Sequence, residues 1–185
     1  MTLRRRVAWL CALAVLGAVA PGASAQTAAS KEYQLKAVFL FNFAQFVEWP
    51  ARAFREAEAP LVIGVLGEDP FGAYLDELVA GEKVGIRPLI VRRYQRVEDI
   101  AECHILFISR SETATLDKSL AHLKGRSVLT VGDMDTFTQQ GGMVRFFTEN
   151  GKIRFKINVQ AAKACELTPS SKILSPATIV PPGKN

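Results

Sequence analysis

Cys103 and His104 place a nucleophile type directly beside a base type, the pairing a thiol hydrolase would need. Geometry defeats it. Adjacent residues entering the apolar run 104–108 point to opposite faces of a strand and cannot share a hydrogen bond. Metal chemistry is poorly served as well, because His104 and His122 are the only histidines and no cysteine pair has zinc spacing. Asp133 and Asp135 lack the other ligands of a calcium loop. No G-x-S-x-G elbow is present, and Gly64 and Gly67 make neither a phosphate loop nor a dinucleotide fingerprint. The sequence therefore predicts no enzyme, no metal site and no cofactor.

Two groups of residues still carry possible chemistry. Strand ends in open parallel sheets favour ligands, and here they carry Ser109, Arg110, Ser111 and Asp133. Exposed amides at the start of the following helix, together with Arg110, would suit an anion, with ordinary capping and loop polarity as the competing explanation. Cys103 and Cys165 are the second group. Either they form a disulfide, which an oxidising compartment favours, or both are small buried hydrophobes.

The elements that must position these residues are legible in part. Residues 61–66 (LVIGVL), 104–108 and 128–131 are short apolar runs that suit strands buried on both faces. Pro70 opens a helix to about residue 80, and residues 84–94 form a strand that Gly85 and Pro88 confine to an edge or a bulge. Ser109 and Glu112 have capping-box spacing for a helix to about residue 123. Asn150-Gly151 predicts a two-residue hairpin turn that pairs Glu149 with Lys152, Phe146 with Phe155 and Val144 with Ile157. That register puts Val144, Phe146, Ile153, Phe155 and Ile157 on one face and Arg145, Glu149, Lys152, Arg154 and Lys156 on the other, with Phe147 the apolar exception. A helix over residues 159–167 and a short element at 170–174 follow. The sum is an α/β fold, a three-layer sandwich with a mostly parallel, Rossmann-like sheet and a C-terminal antiparallel hairpin.

Composition narrows the function classes. Residues 1–25 have a basic start (Arg4, Arg5, Arg6), an uncharged run and Ala23-Ser24-Ala25, the pattern of a secretory signal cleaved after Ala25. Residues 26–180 then form a single domain, with 181–185 a short tail. Loss of the three leader arginines lowers the formal charge from +5 to +2, so the basic balance does not predict nucleic-acid binding.

Residues 36–50, KAVFLFNFAQFVEWP, crowd four phenylalanines and a tryptophan into one helix that stops near Glu48 because of Pro50. At ~100° per residue, Asn42, Gln45 and Glu48 make a narrow polar side. Either the protein's own core or a partner must cover the rest.

With CHILFISRSE (103–112), VLTVGD (128–133), GGMVRFF (141–147), KIRFKIN (152–158) and SSKIL (170–174), that block resembles the YfiR-like family of periplasmic regulatory proteins. The resemblance implies a non-enzymatic repressor. It would bind the periplasmic part of an inner-membrane diguanylate cyclase or sensor kinase, lowering cyclic di-GMP and biofilm formation, and an OmpA-like outer-membrane lipoprotein would sequester it. Homodimers are also implied. Phe39, Phe43 and Trp49 are then the candidate partner contacts. The alternative is a periplasmic small-ligand sensor or carrier using the strand-end crevice. Two departures stand out: two mature cysteines cannot make the family's two disulfides, and Ser175-Pro176-Ala177 replaces a leucine-rich continuation.

Overall fold

The computed structural model describes residues 22–181. The leader lies outside that range up to position 21, and so does the tail from position 182. In chain order the elements are α1 (Gly22–Phe46), β1 (Val47–Glu48), β2 (Leu61–Leu66), α2 (Ala73–Val79), β3 (Lys83–Val84), β4 (Arg87–Tyr94), β5 (Ile105–Ile108), α3 (Leu116–Leu123), β6 (Leu129–Gly132), β7 (Val144–Glu149), β8 (Lys152–Ile157), α4 (Val159–Ala164), β9 (Thr168–Pro169), α5 (Ser171–Leu174) and β10 (Thr178–Ile179). No described helix is long and apolar enough to cross a membrane.

Eight strands form the main sheet in the order β10-β8-β7-β6-β5-β2-β4-β3. Strands β4, β2, β5, β6 and β7 run parallel, and the antiparallel pairings are β7 with β8 and β4 with β3. Every residue of β2, β5 and β6 is buried, as apolar runs in a doubly covered parallel sheet must be. Alternate side chains feed two cores. Ile63, Val65, Ile105, Phe107, Leu129 and Val131 join one with α1, while Leu66, Leu106 and Ile108 join another with Leu116 and Leu123 of α3. The chain is thus a mixed α/β domain with a mostly parallel sheet between helical layers.

The hairpin adopts the expected register throughout, from Glu149↔Lys152 to Val144↔Ile157. Its turn residues have the positive φ that the short loop demands, 50° at Asn150 and 70° at Gly151. Segment 84–94 breaks at Gly85, φ 61°, into β3 and β4 at the sheet edge. Phe137 packs so tightly that a Cβ on Gly132 or Gly142 would lie 2.6 or 2.2 Å from its ring, which accounts for glycine at both positions.

Four local expectations change: α2 starts at Ala73 after Gly72 rather than at Pro70, α4 ends at Ala164 rather than near residue 167, and two more concern the aromatic helix and the capping box. The aromatic helix ends at Phe46 rather than Glu48, because Val47 and Glu48 pair with Pro169 and Thr168 and Ser170 N–H bonds the Phe46 carbonyl. The capping box at Ser109 does not form: Arg110–Thr115 is a 3-10 turn without a side-chain cap, and α3 starts only at Leu116.

Of the two alternatives for Cys103 and Cys165, the disulfide is absent and both are buried free thiols. The physical reason is placement, for Cys103 belongs to the α3-side core and Cys165 to the core on the other face.

Candidate functional site

Lysine 36 occupies the centre of the buried face of α1, flanked by Ala37 and Leu40 and 2 % exposed. Its ammonium lies 2.5 Å from Asp133 Oδ2, at the carboxyl end of β6, and 2.6 Å from Glu32 one turn earlier. Tyr33 donates its hydroxyl to the same Oδ2 at 3.0 Å. Arg110, which follows β5, donates Nε to Oδ1 at 3.1 Å and Nη2 to the Asp133 carbonyl at 2.9 Å. Asp133 is itself 2 % exposed, so one buried carboxylate ties the first helix to the ends of two central strands.

Electrostatics follow from that geometry. Burial opposes the Asp133 charge, but the Lys36 hydrogen bond and the Lys36 and Arg110 charges outweigh it and hold the carboxyl below its usual range. Burial, then the adjacent carboxylate, pushes the Tyr33 phenol well above its usual value. With an ionised acid and a neutral phenol at neutral pH, the cluster holds charge and does not trade protons.

Of the four residues expected to hold an anion, only Arg110 and Asp133 line a common crevice of about 280 Å³, and Asp133 is already satisfied within the protein. Ser109 is 6 % exposed. Ser111 Oγ accepts the Glu68 N–H at 3.0 Å, which closes the gap between the ends of β2 and β5. A Cβ at Gly67, φ 84°, would sit 2.3 Å from that oxygen. The space left is therefore shifted towards β7, where Arg145 and Phe147 complete the wall. Motif spacing did not reveal either residue, nor Lys36. For Lys36 a signal existed, because it lies 180° from Gln45 around the helix, in the middle of the apolar side.

The three aromatic residues expected to meet a partner have separate fates. Phe43 is 1 % exposed, stacked on Phe146 at 6.0 Å and edge-on to Phe155 at 5.3 Å, so it is a core residue and not a surface contact. Phe39 is half-buried against the same two rings. Trp49 donates Nε1–H to the His104 carbonyl at 3.2 Å. Among the described residues, the exposed large apolar side chains are Leu35, Ile86 and Ile179.

Cys103 and His104 lie just ahead of β5, and their side chains bond different partners. The thiol donates to the Ile105 carbonyl, and burial pushes its pKa up to about 12. His104 Nδ1 accepts the Val62 N–H at 3.1 Å, which leaves the proton on Nε2 to bond the Ala53 carbonyl at 3.1 Å. Its ring stacks on Phe54 at 4.3 Å. Neither group can act as nucleophile or base here. Among the described residues, no group of three His, Cys, Asp or Glu side chains is placed to hold a metal ion.

Burial holds the His104 pKa down to about 4, with the Ala53 hydrogen bond acting the other way. The unfolded chain, with histidine near ~6.5, binds a proton first as pH falls, so stability is full above that value. It should decline by roughly 3 kcal/mol between pH 6.5 and 4, and this contribution should flatten below that. Urea unfolding at pH 7, 5.5 and 4 should show the decline, and His104→Gln should remove most of the slope; an equal slope in the variant would disprove the assignment.

A family model described as YfiR/HmsC-like matches residues 33–178. No curated protein matches the chain. Among solved structures, a conserved domain protein from Vibrio cholerae O1 biovar eltor aligns with a TM-score of 0.45 at 14 % identity. The alignment covers 64 % of this chain and 54 % of that one, so the chain spans about half of that protein's length.

Proposed function

Since the chain belongs to the YfiR/HmsC-like family, whose model matches residues 33–178, we propose that it is a periplasmic, non-enzymatic repressor. It binds the periplasmic part of an inner-membrane diguanylate cyclase or related sensor kinase and holds it inactive, lowering cyclic di-GMP and biofilm formation. The family match carries this reading. Support comes from the secretory pattern of residues 1–25 and from the candidate chemistry, since Cys103, His104 and Asp133 are all spent on internal bonds.

Control then works by mass action. An OmpA-like outer-membrane lipoprotein that sequesters the repressor lowers its free concentration and releases the cyclase, with no reaction on this chain. A homodimer is compatible with the same scheme. The small-ligand alternative is less well supported, because Ser109, Ser111 and Asp133 are buried or engaged within the protein.

Deletion of the gene in a host that encodes an adjacent membrane-spanning diguanylate cyclase should raise cyclic di-GMP several-fold and increase surface attachment. Returning the gene should reverse both changes. Unchanged cyclic di-GMP with the cyclase expressed would refute the proposal.

A further inference from the structure

The hairpin β7–β8 buries Val144, Phe146, Phe155 and Ile157 on one face. The apolar cluster on the opposite side of the sheet, built around α3, includes no residue of either strand. That face carries Arg145, 16 % exposed, with Phe147 and Lys156 half-buried and Arg154 exposed.

Its arrangement is unfavourable for a face meant only for water. Arg145 and Lys156 stand directly opposite each other across the strands, and like charges so placed are destabilising. Phe147, paired with Arg154, partly offsets this, with Lys156 Nζ 5.4 Å and the Arg145 guanidinium 6.0 Å from its ring centre. Asp135, 88 % exposed, already sets a carboxylate on Arg145, while the buried Nε of Arg145 has no hydrogen-bond partner among the described residues. With Lys152 the face has four cations against two carboxylates, Asp135 on Arg145 and Glu149 at 3.4 Å from Arg154 Nε, which leaves Lys152 and Lys156 as the excess charge. It also runs into the crevice where Arg110, Arg145 and Phe147 stand beside the internally paired Asp133 and Asp135.

We propose that this hairpin face is the docking surface for an acidic segment of a protein partner, whose carboxylates meet Arg154 and Lys156 while an apolar side chain lies on Phe147. The inference rests on the regulatory reading above and names the surface that reading uses. Arginine and aromatic side chains are the residue types that most often dominate such contacts, and opposite charge speeds the encounter.

The test complements the deletion strain with wild type, with Arg154→Glu/Lys156→Glu, and with Lys118→Glu/Lys124→Glu, an equal charge reversal at exposed positions on α3 and just after it. Wild type and the α3 variant should restore low cyclic di-GMP. The hairpin variant, at wild-type abundance and melting temperature, should stay within about twofold of the deletion level. Should it fold poorly, Arg154→Gln/Lys156→Gln takes its place with the same expectation. Full restoration by a folded hairpin variant would overturn the surface and leave the regulatory reading intact. Failure of wild type to restore would overturn both. Sedimentation of wild type, but not the hairpin variant, with phosphatidylglycerol vesicles would assign the face to a membrane and overturn the protein partner.

Discussion

Lys36→Met should cost about 3–5 kcal/mol of unfolding free energy, and Asp133→Leu a similar amount, although neither residue belongs to the apolar core. Both side chains are 2 % exposed and 2.5 Å apart. Removing either one leaves the other charge buried without its main partner, and that desolvation cost is what the experiment reads. Residual partners set the size. After Lys36→Met, Asp133 keeps Tyr33 and Arg110; after Asp133→Leu, Lys36 keeps Glu32, and Arg110, 64 % exposed, can turn to water.

The double variant Lys36→Met/Asp133→Leu should recover part of the loss, because it removes both buried charges together. A coupling of roughly 1–3 kcal/mol from urea unfolding of the four proteins would establish the pair. Additivity within about 0.5 kcal/mol would show instead that each residue acts through separate contacts. The acid limb offers a second check. Asp133 is held below its usual range, so its contribution is present above the unfolded carboxylate value near ~3.9 and is lost as pH falls through the folded one. That window lies below the one assigned to His104.

This cluster shows where the sequence stops being legible. The hairpin could be derived whole, since Asn150-Gly151 fixes a two-residue turn and the turn fixes every pairing behind it. Strands β2, β5 and β6 were equally clear, because a short branched apolar run has few other uses. Lys36 is different: its helical angle places it inside, yet lysine is almost never buried unless paired, and the pairing partner lies 97 residues away. Asp133 reads as a loop carboxylate for the same reason. At Ser109 a tertiary contact overrode a local rule, as Ser111 was drawn to Glu68 at the end of β2. The cysteines stay undecided in the sequence for a related reason, because spacing does not say which side of a sheet each thiol faces.

Phe43→Ala should be the most damaging single change in the aromatic block, lowering stability by about 3–5 kcal/mol. Its ring is 1 % exposed, stacked on Phe146 and edge-on to Phe155, so truncation leaves a cavity that the rigid hairpin cannot fill. Phe39→Ala, at a half-buried position over the same rings, should cost visibly less. The pair therefore separates two explanations for lost repression. If the block serves the core, activity should follow the folded fraction: Phe43→Ala should lose repression in proportion to unfolding, and Phe39→Ala should keep most of it. If Phe39→Ala abolished repression in a protein with wild-type melting temperature, the helix would be a partner surface after all, and Phe39 would be its contact.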